Sequence, residues 1–99
     1  MNMPAHNHAA HAVLALTVNN HPGVMSHVCG LFSRRSFNLE GILCAPQDGG
    51  STSRMWLLVG EDRRLDQVER QLGKLHDVLE VRRDQVSPQD WGRLQATFA

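Results

Sequence analysis

The sequence predicts an α+β domain in which a four-stranded antiparallel sheet carries two helices on one face. Three observations predict it. Val13-Leu14-Ala15-Leu16-Thr17-Val18 and Met55-Trp56-Leu57-Leu58-Val59 are apolar at nearly every position, the pattern of strands covered on both faces. Two further stretches, Val24 to Phe32 and Leu65 to Leu75, repeat apolar residues at helical spacing. A further strand-like run follows each helix, so the order is strand, helix, strand, strand, helix, strand, that of the split ferredoxin-like motif.

Residues 1–11 are polar, contain Pro4 and Asn7, hold three of the six histidines and show neither helical nor strand periodicity. A disordered leader is expected there, followed by the domain at 12–86 and a short amphipathic segment at 87–99. Pro22 suits the first turn of a helix whose apolar stripe is Val24, Met25, Val28, Cys29, Leu31 and Phe32. Arg34 and Arg35 in its last turn complement the negative end of the helix dipole. Asn38 to Cys44 reads as a strand stopped by Pro46, and Gln47 to Ser53 as a flexible hairpin loop. Gly60 ends the next strand.

Asp62 is placed to cap the second helix, whose core face is Leu65, Val68, Leu72 and Leu75, with Asp66, Glu69 and Arg70 outward. Gly73 weakens that helix by up to about 1 kcal/mol relative to alanine. Val78 to Val86 sets Leu79, Val81 and Arg83 against Glu80 and Arg82, as a strand with one wet face near a sheet edge does. With both helices on one face, the other sheet face has no intrachain cover, and a second copy is expected to cover it or to extend the sheet. Ser87-Pro88 reads as a helix start, with Trp91, Leu94 and Phe98 on one side. So short a helix is marginal alone, and packing back on the domain is favoured over docking on a partner.

Ninety-nine residues suit one domain, near the size at which an oligomer partner often supplies part of the burial. Ten basic residues balance ten acidic ones, with the signs interspersed, which leaves no electrostatic footprint for nucleic acid or anionic membrane. A ferredoxin-like RNA-binding module would need aromatic residues on the central strands and a basic sheet face, and Trp56 alone answers the first requirement. Cys29 and Cys44 are too far apart for a metal knuckle or redox pair, which fits a reducing cytoplasm. No run is long enough to span a bilayer, and the first residues lack the charge and apolar stretch of a secretion signal.

Nucleotide-loop, metalloprotease and paired-cysteine motifs are absent, so catalysis by this chain is not expected. His6, His8 and His11 have no further ligand near them in sequence, and no metal site is assigned. Cys29 on the apolar stripe reads as a small core hydrophobe. The strand-to-helix turn Asn20-His21-Pro22-Gly23 is the candidate site. A glycine there lets a ligand approach the backbone, the helix start offers N-H groups to a carboxylate, and the carboxamide both donates and accepts. From Asn-x-x-Gly alone an ordinary turn is the stronger reading, because these residues recur in turns for conformational reasons.

The chain from about residue 12 to residue 86 resembles the small regulatory subunit of acetolactate (acetohydroxyacid) synthase in its short, single-ACT-domain form. The resemblance is carried by His21-Pro22-Gly23-Val24-Met25, Gly30-Leu31-Phe32, Arg34-Arg35 and Phe37-Asn38-Leu39-Glu40-Gly41-Ile42. It continues through Trp56-Leu57-Leu58-Val59, Arg64-Leu65-Asp66-Gln67 and Lys74-Leu75-His76-Asp77-Val78. It reverses the odds at the turn. It implies that valine is held there, with Asn20 as the polar contact, Gly23 and Val24 as backbone N-H donors, and His21, Pro22 and Met25 close by. The ring of His21 either meets the ligand or is solvated, with solvent slightly favoured. The resemblance implies that Asn38 and Leu39 close the pocket from the neighbouring protomer of a homodimer.

The implied function is that of a non-catalytic regulatory subunit in branched-chain amino acid biosynthesis, activating a catalytic large subunit and bringing feedback inhibition by valine. No cofactor is implied in this chain; thiamine diphosphate, Mg and FAD are expected in the catalytic partner. The alternative is a free-standing ACT-domain amino acid sensor acting on another protein. Selectivity among valine, leucine and isoleucine would rest on single methylenes worth about 1–3 kcal/mol each.

Overall fold

Residues 13–18 lie in a central strand, as their almost wholly apolar character predicts. The computed structural model describes residues 11–84 and 88–97. In chain order the elements are β1 (His11–Asn19), α1 (Val24–Arg34), β2 (Leu39–Gln47), β3 (Thr52–Gly60), α2 (Leu65–Gly73), β4 (Val78–Asp84) and α3 (Pro88–Thr97). The strands form one sheet in the order β2-β3-β1-β4, with every neighbouring pair antiparallel. This is the α+β, ferredoxin-like arrangement that the sequence predicts.

One face of the sheet builds the core. Leu14, Leu16 and Val18 of β1 and Met55, Leu57 and Val59 of β3 pack with Val28, Leu31 and Phe32 of α1 and Leu65, Val68 and Leu72 of α2. Each such side chain taken fully from water contributes about 1.5–3 kcal/mol. The helical spacing selected these residues correctly, but Met25 is 40% exposed and Cys29 only half-buried, so the stripe on α1 is narrower than its sequence suggests. Leu75 packs against the core from the turn after α2.

The two sheet edges differ in character. β2 carries a single charged residue, Glu40, whereas β4 carries Glu80, Arg82, Arg83 and Asp84. β2 runs through Pro46 to Gln47 instead of stopping before it, because an edge strand has an unpaired side on which a missing N-H costs nothing. The expected loop at 47–53 is shorter than its sequence suggests. A 3-10 turn over Asp48–Gly50, with φ of 70° at Gly49 and 96° at Gly50, leads into β3 at Thr52.

Leu79 is 55% exposed, although alternation places it with Val81. The register shifts between Thr17 and Val18, so Val18 pairs with Val78 while Thr17 pairs with Glu80. The extra residue in β4 is Leu79, turned out of the alternation as β-bulges do.

The face expected to lack intrachain cover is partly covered. Gly41 pairs with Leu58, on the opposite side from the Leu57 core position, and a Cβ at Gly41 would lie 2.7 Å from Trp91 Cζ2. Trp91 is 8% exposed, so α3 lays its indole on the sheet where Gly41 leaves room. α3 begins at Pro88, as the first-turn preference of proline predicts. Residues 1–10 of the expected leader, the last residues of the expected fourth strand, Ser87 and Phe98 lie outside the described residues. His11 opens β1, one residue before the expected start, and its Nε2 lies 3.2 Å from Glu40 Oε1.

Candidate functional site at the strand-to-helix turn

The chain leaves β1 at Asn19 and enters α1 at Val24 through a turn tied down from both sides. Asn19 donates its N-H to the Asp77 carbonyl at 2.8 Å, and Asn20 donates its N-H to the Ser51 carbonyl at 3.1 Å. The Asn20 carboxamide also donates from Nδ2 to the Gly50 carbonyl at 2.7 Å. That bond uses one of the two N-H groups of Nδ2 and leaves Oδ1 as an acceptor. Pro22 sits in the turn and not in the helix, while Val24 closes the turn by donating to the His21 carbonyl at 3.1 Å.

Gly23 precedes the helix with φ 98° and ψ −11°, a backbone conformation that costs glycine little and other residues much. Nothing lies within 4 Å of the place its Cβ would take, so the space beside the helix start is open. No side chain caps α1. His27 returns its N-H to the Gly23 carbonyl, but among the described residues the N-H groups of Gly23, Met25 and Ser26 have no acceptor. Unmet N-H groups at a helix start, with the positive end of the helix dipole behind them, suit a small carboxylate.

Asn20, His21, Pro22 and Gly23 are exposed, Val24 is half-buried against the core, and Met25 turns outward. An apolar side chain left outside next to free N-H groups gives the turn both halves of an amino acid's chemistry. His21 faces Asp77, with Nδ1 3.5 Å from Oδ2. Asp77, Gly50 and Ser51 are not legible in the sequence as supports of this turn, because each is brought there by sheet pairing and none forms a local motif with Asn20. The paired glycines 49 and 50 were the one available hint of a tight approach.

Asn38 and Leu39 are not part of this cluster within one chain. Leu39 pairs with Val59, which pairs with Ala12, so the start of β2 lies level with the start of β1. The turn follows the other end of β1, and a nine-residue strand spans about 30 Å. Gln47, at the far end of β2, pairs with Thr52 and is level with Asn19. Among the described residues no group of three or more His, Cys, Asp and Glu side chains is arranged to hold a metal ion, and no helix is long and apolar enough to cross a membrane.

Residues 14–80 match the family model of the AHAS small subunit-like ACT domain. The chain is 52% identical over 86 residues to the acetolactate synthase isozyme 1 small subunit of Escherichia coli K12, an alignment covering 87% of this chain and 90% of that protein. It is 44% identical over 70 residues to the isozyme 3 small subunit of the same organism, covering 70% of this chain and 43% of that longer protein. In three dimensions it is similar to the acetolactate synthase small subunit of Thermotoga maritima, with a TM-score of 0.68 and 34% identity over 80% of this chain and 50% of that one. The ACT domain of a GTP pyrophosphokinase from Chlorobium tepidum, at 18% identity and a TM-score of 0.60, shares the fold over 76% of this chain and 97% of its own. The chain belongs to the family of acetolactate synthase small subunits, regulatory subunits built on an ACT domain.

Proposed function

We propose that this chain binds valine at the Asn20–Met25 turn, activates the catalytic large subunit of acetolactate synthase and makes it subject to feedback inhibition by valine. The observation that carries the reading is the helix start: a left-handed Gly23 with open space beside it, and N-H groups of Gly23, Met25 and Ser26 without acceptors among the described residues. The ligand carboxylate takes these donors, its ammonium takes the carboxamide oxygen of Asn20, and its branched end lies by Met25. No charged side chain is required for the carboxylate.

The pocket is completed in a homodimer. β2 is the less charged edge, and antiparallel pairing of two β2 strands about Leu43 brings Leu39 of a second copy level with Gln47, at the turn end of the sheet. Asn38 and Leu39 then approach the ligand from the neighbour although they lie remote from the turn in their own chain. Coupling of about 1–3 kcal/mol between valine and the state of the catalytic subunit is enough for strong regulation.

Isothermal titration of the chain with valine, leucine, isoleucine and threonine, beside an Asn20→Ala variant, tests the site. Valine binding that the variant loses is expected. A folded dimer that binds none of the four, alone or with the catalytic subunit, overturns the assignment. Copurification with the catalytic subunit and a rise in its activity are expected as well.

A further inference from the structure

Away from the turn, where α1 ends and α2 begins, the surface holds a cavity of about 380 Å³ lined by Arg34, Arg35, Phe37, Arg64, Gln67 and Val68. Three arginines and no acidic residue are among its lining residues, in a chain whose ten basic and ten acidic residues cancel. We propose that this cleft is a binding site for a small phosphate-bearing molecule, a phosphate monoester or diphosphate.

The cleft is built by a helix ending and held by an ion pair. Ser36 adopts φ 52° after α1, and the turn closes with Ser36 donating to the Ser33 carbonyl and Phe37 to the Phe32 carbonyl. That turn delivers Phe37 under Arg64, whose guanidinium carbon stands 5.1 Å from the ring centroid. Arg64 is fixed further by Nη1 donating to the Arg35 carbonyl at 3.3 Å and by Nη2 donating to Asp62 Oδ2 at 3.1 Å. Arg64 therefore enters the cleft already oriented, which lowers the entropy lost on binding.

The other two arginines have charge to spare. Among the described residues Arg34 and Arg35 meet no carboxylate, whereas Arg83 on the far side of α2 is taken up by Asp66 and Glu69. Glu61 and Asp62 lie beyond Arg64 in an adjoining cleft, so an anion is confined to the Arg34 and Arg35 side. Guanidinium forks match the spread oxygens of phosphate, the Gln67 amide adds a donor, and Phe37 with Val68 leaves apolar wall for a small organic remainder. The concave shape between two helix ends favours a small molecule over an extended acidic segment of a protein, and the absence of any basic run disfavours nucleic acid.

The test is titration of the full chain with pyrophosphate at constant ionic strength, followed by calorimetry and by amide chemical shifts. Saturable binding is expected, with shifts centred on residues 34–37 and 64–68. Affinity should weaken roughly tenfold or more in the double variant Arg34→Gln, Arg35→Gln and stay unchanged in Arg70→Gln, with unfolding midpoints close to the parent. Binding that fails to saturate, weakens equally in Arg70→Gln, or shifts the amides of the Asn20–Met25 turn overturns the proposal. So does tighter binding of hexaglutamate than of pyrophosphate, which would make the cleft a docking surface for an acidic chain.

Discussion

Asp77 holds the Asn19–Gly23 turn with two different groups: its carbonyl accepts the Asn19 N-H at 2.8 Å, and its carboxylate stands 3.5 Å from the ring of His21. The aspartate side chain is 10% exposed and the histidine side chain 58%. Substitution Asp77→Ala removes the second tie and keeps the first. The expected loss of stability is no more than about 1 kcal/mol, because one partner is largely in water. Valine affinity should fall more than stability does, since the loosened turn is the proposed ligand site. Urea unfolding and valine titration of the same variant compare the two, and a stability loss with unchanged valine affinity would count against a positioning role.

Ser36 occupies the left-handed position after α1, and the bonds Ser36 to Ser33 and Phe37 to Phe32 are those of a Schellman ending. The hydrophobic contact that accompanies this ending is the edge-to-face pair of Phe32 and Phe37, with centroids 6.0 Å apart. Glycine suits the position better than serine. Ser36→Gly is expected to stabilise the chain by about 0.5–1 kcal/mol, a rise in unfolding temperature of several degrees by calorimetry.

Gly41 lies under the indole of Trp91, where a Cβ would come 2.7 Å from Cζ2. Gly41→Ala must therefore lift Trp91 or shift β2. The expected cost is about 1–3 kcal/mol, as for other overpacked sites. In a Trp56→Phe background, the remaining tryptophan emission should move to the red as the indole meets water. Unmoved emission would mean that the strand gives way and α3 does not.

Asp62 accepts hydrogen bonds from the side chain of Arg64 and from its backbone N-H, and these hold its carboxyl below the ordinary aspartate value. A folded-state pKa below the unfolded one adds stability above the unfolded value, about pH 4, and that stability disappears as the pH falls through the folded value. Asp62→Asn should flatten the acid limb of the stability profile below about pH 4 and leave its shape near pH 7 unchanged. Acid titration followed by circular dichroism reads this directly.

Much of the fold was legible because local pattern and final burial agree. The almost wholly apolar run of β1 named a central strand, and Val28, Leu31 and Phe32 named the buried side of α1. Where the reading failed, a distant partner decided. The bulge opposite Thr17 and Val18 turned Leu79 outward, and the side of β2 that has no partner strand within the chain allowed Pro46 into a strand. Trp91 found its seat on Gly41, fifty positions earlier in the sequence. The candidate site divides in the same way. Asn20 and Gly23 form a local turn that a reader of the sequence can see, whereas Asp77, Gly50 and Ser51 reach it only through the sheet.

The unlike edges of the sheet bear on the size to which the proposed assembly grows. A strand such as β2 offers its backbone to one neighbour, and a two-fold pairing consumes that offer on both copies at once. In the proposed pair each open margin is a β4, where Glu80, Arg82, Arg83 and Asp84 meet any newcomer with ionic groups that would have to be stripped of water. In that arrangement the ionic margins of β4 work against further strand addition, so the proposed pairing closes at two copies.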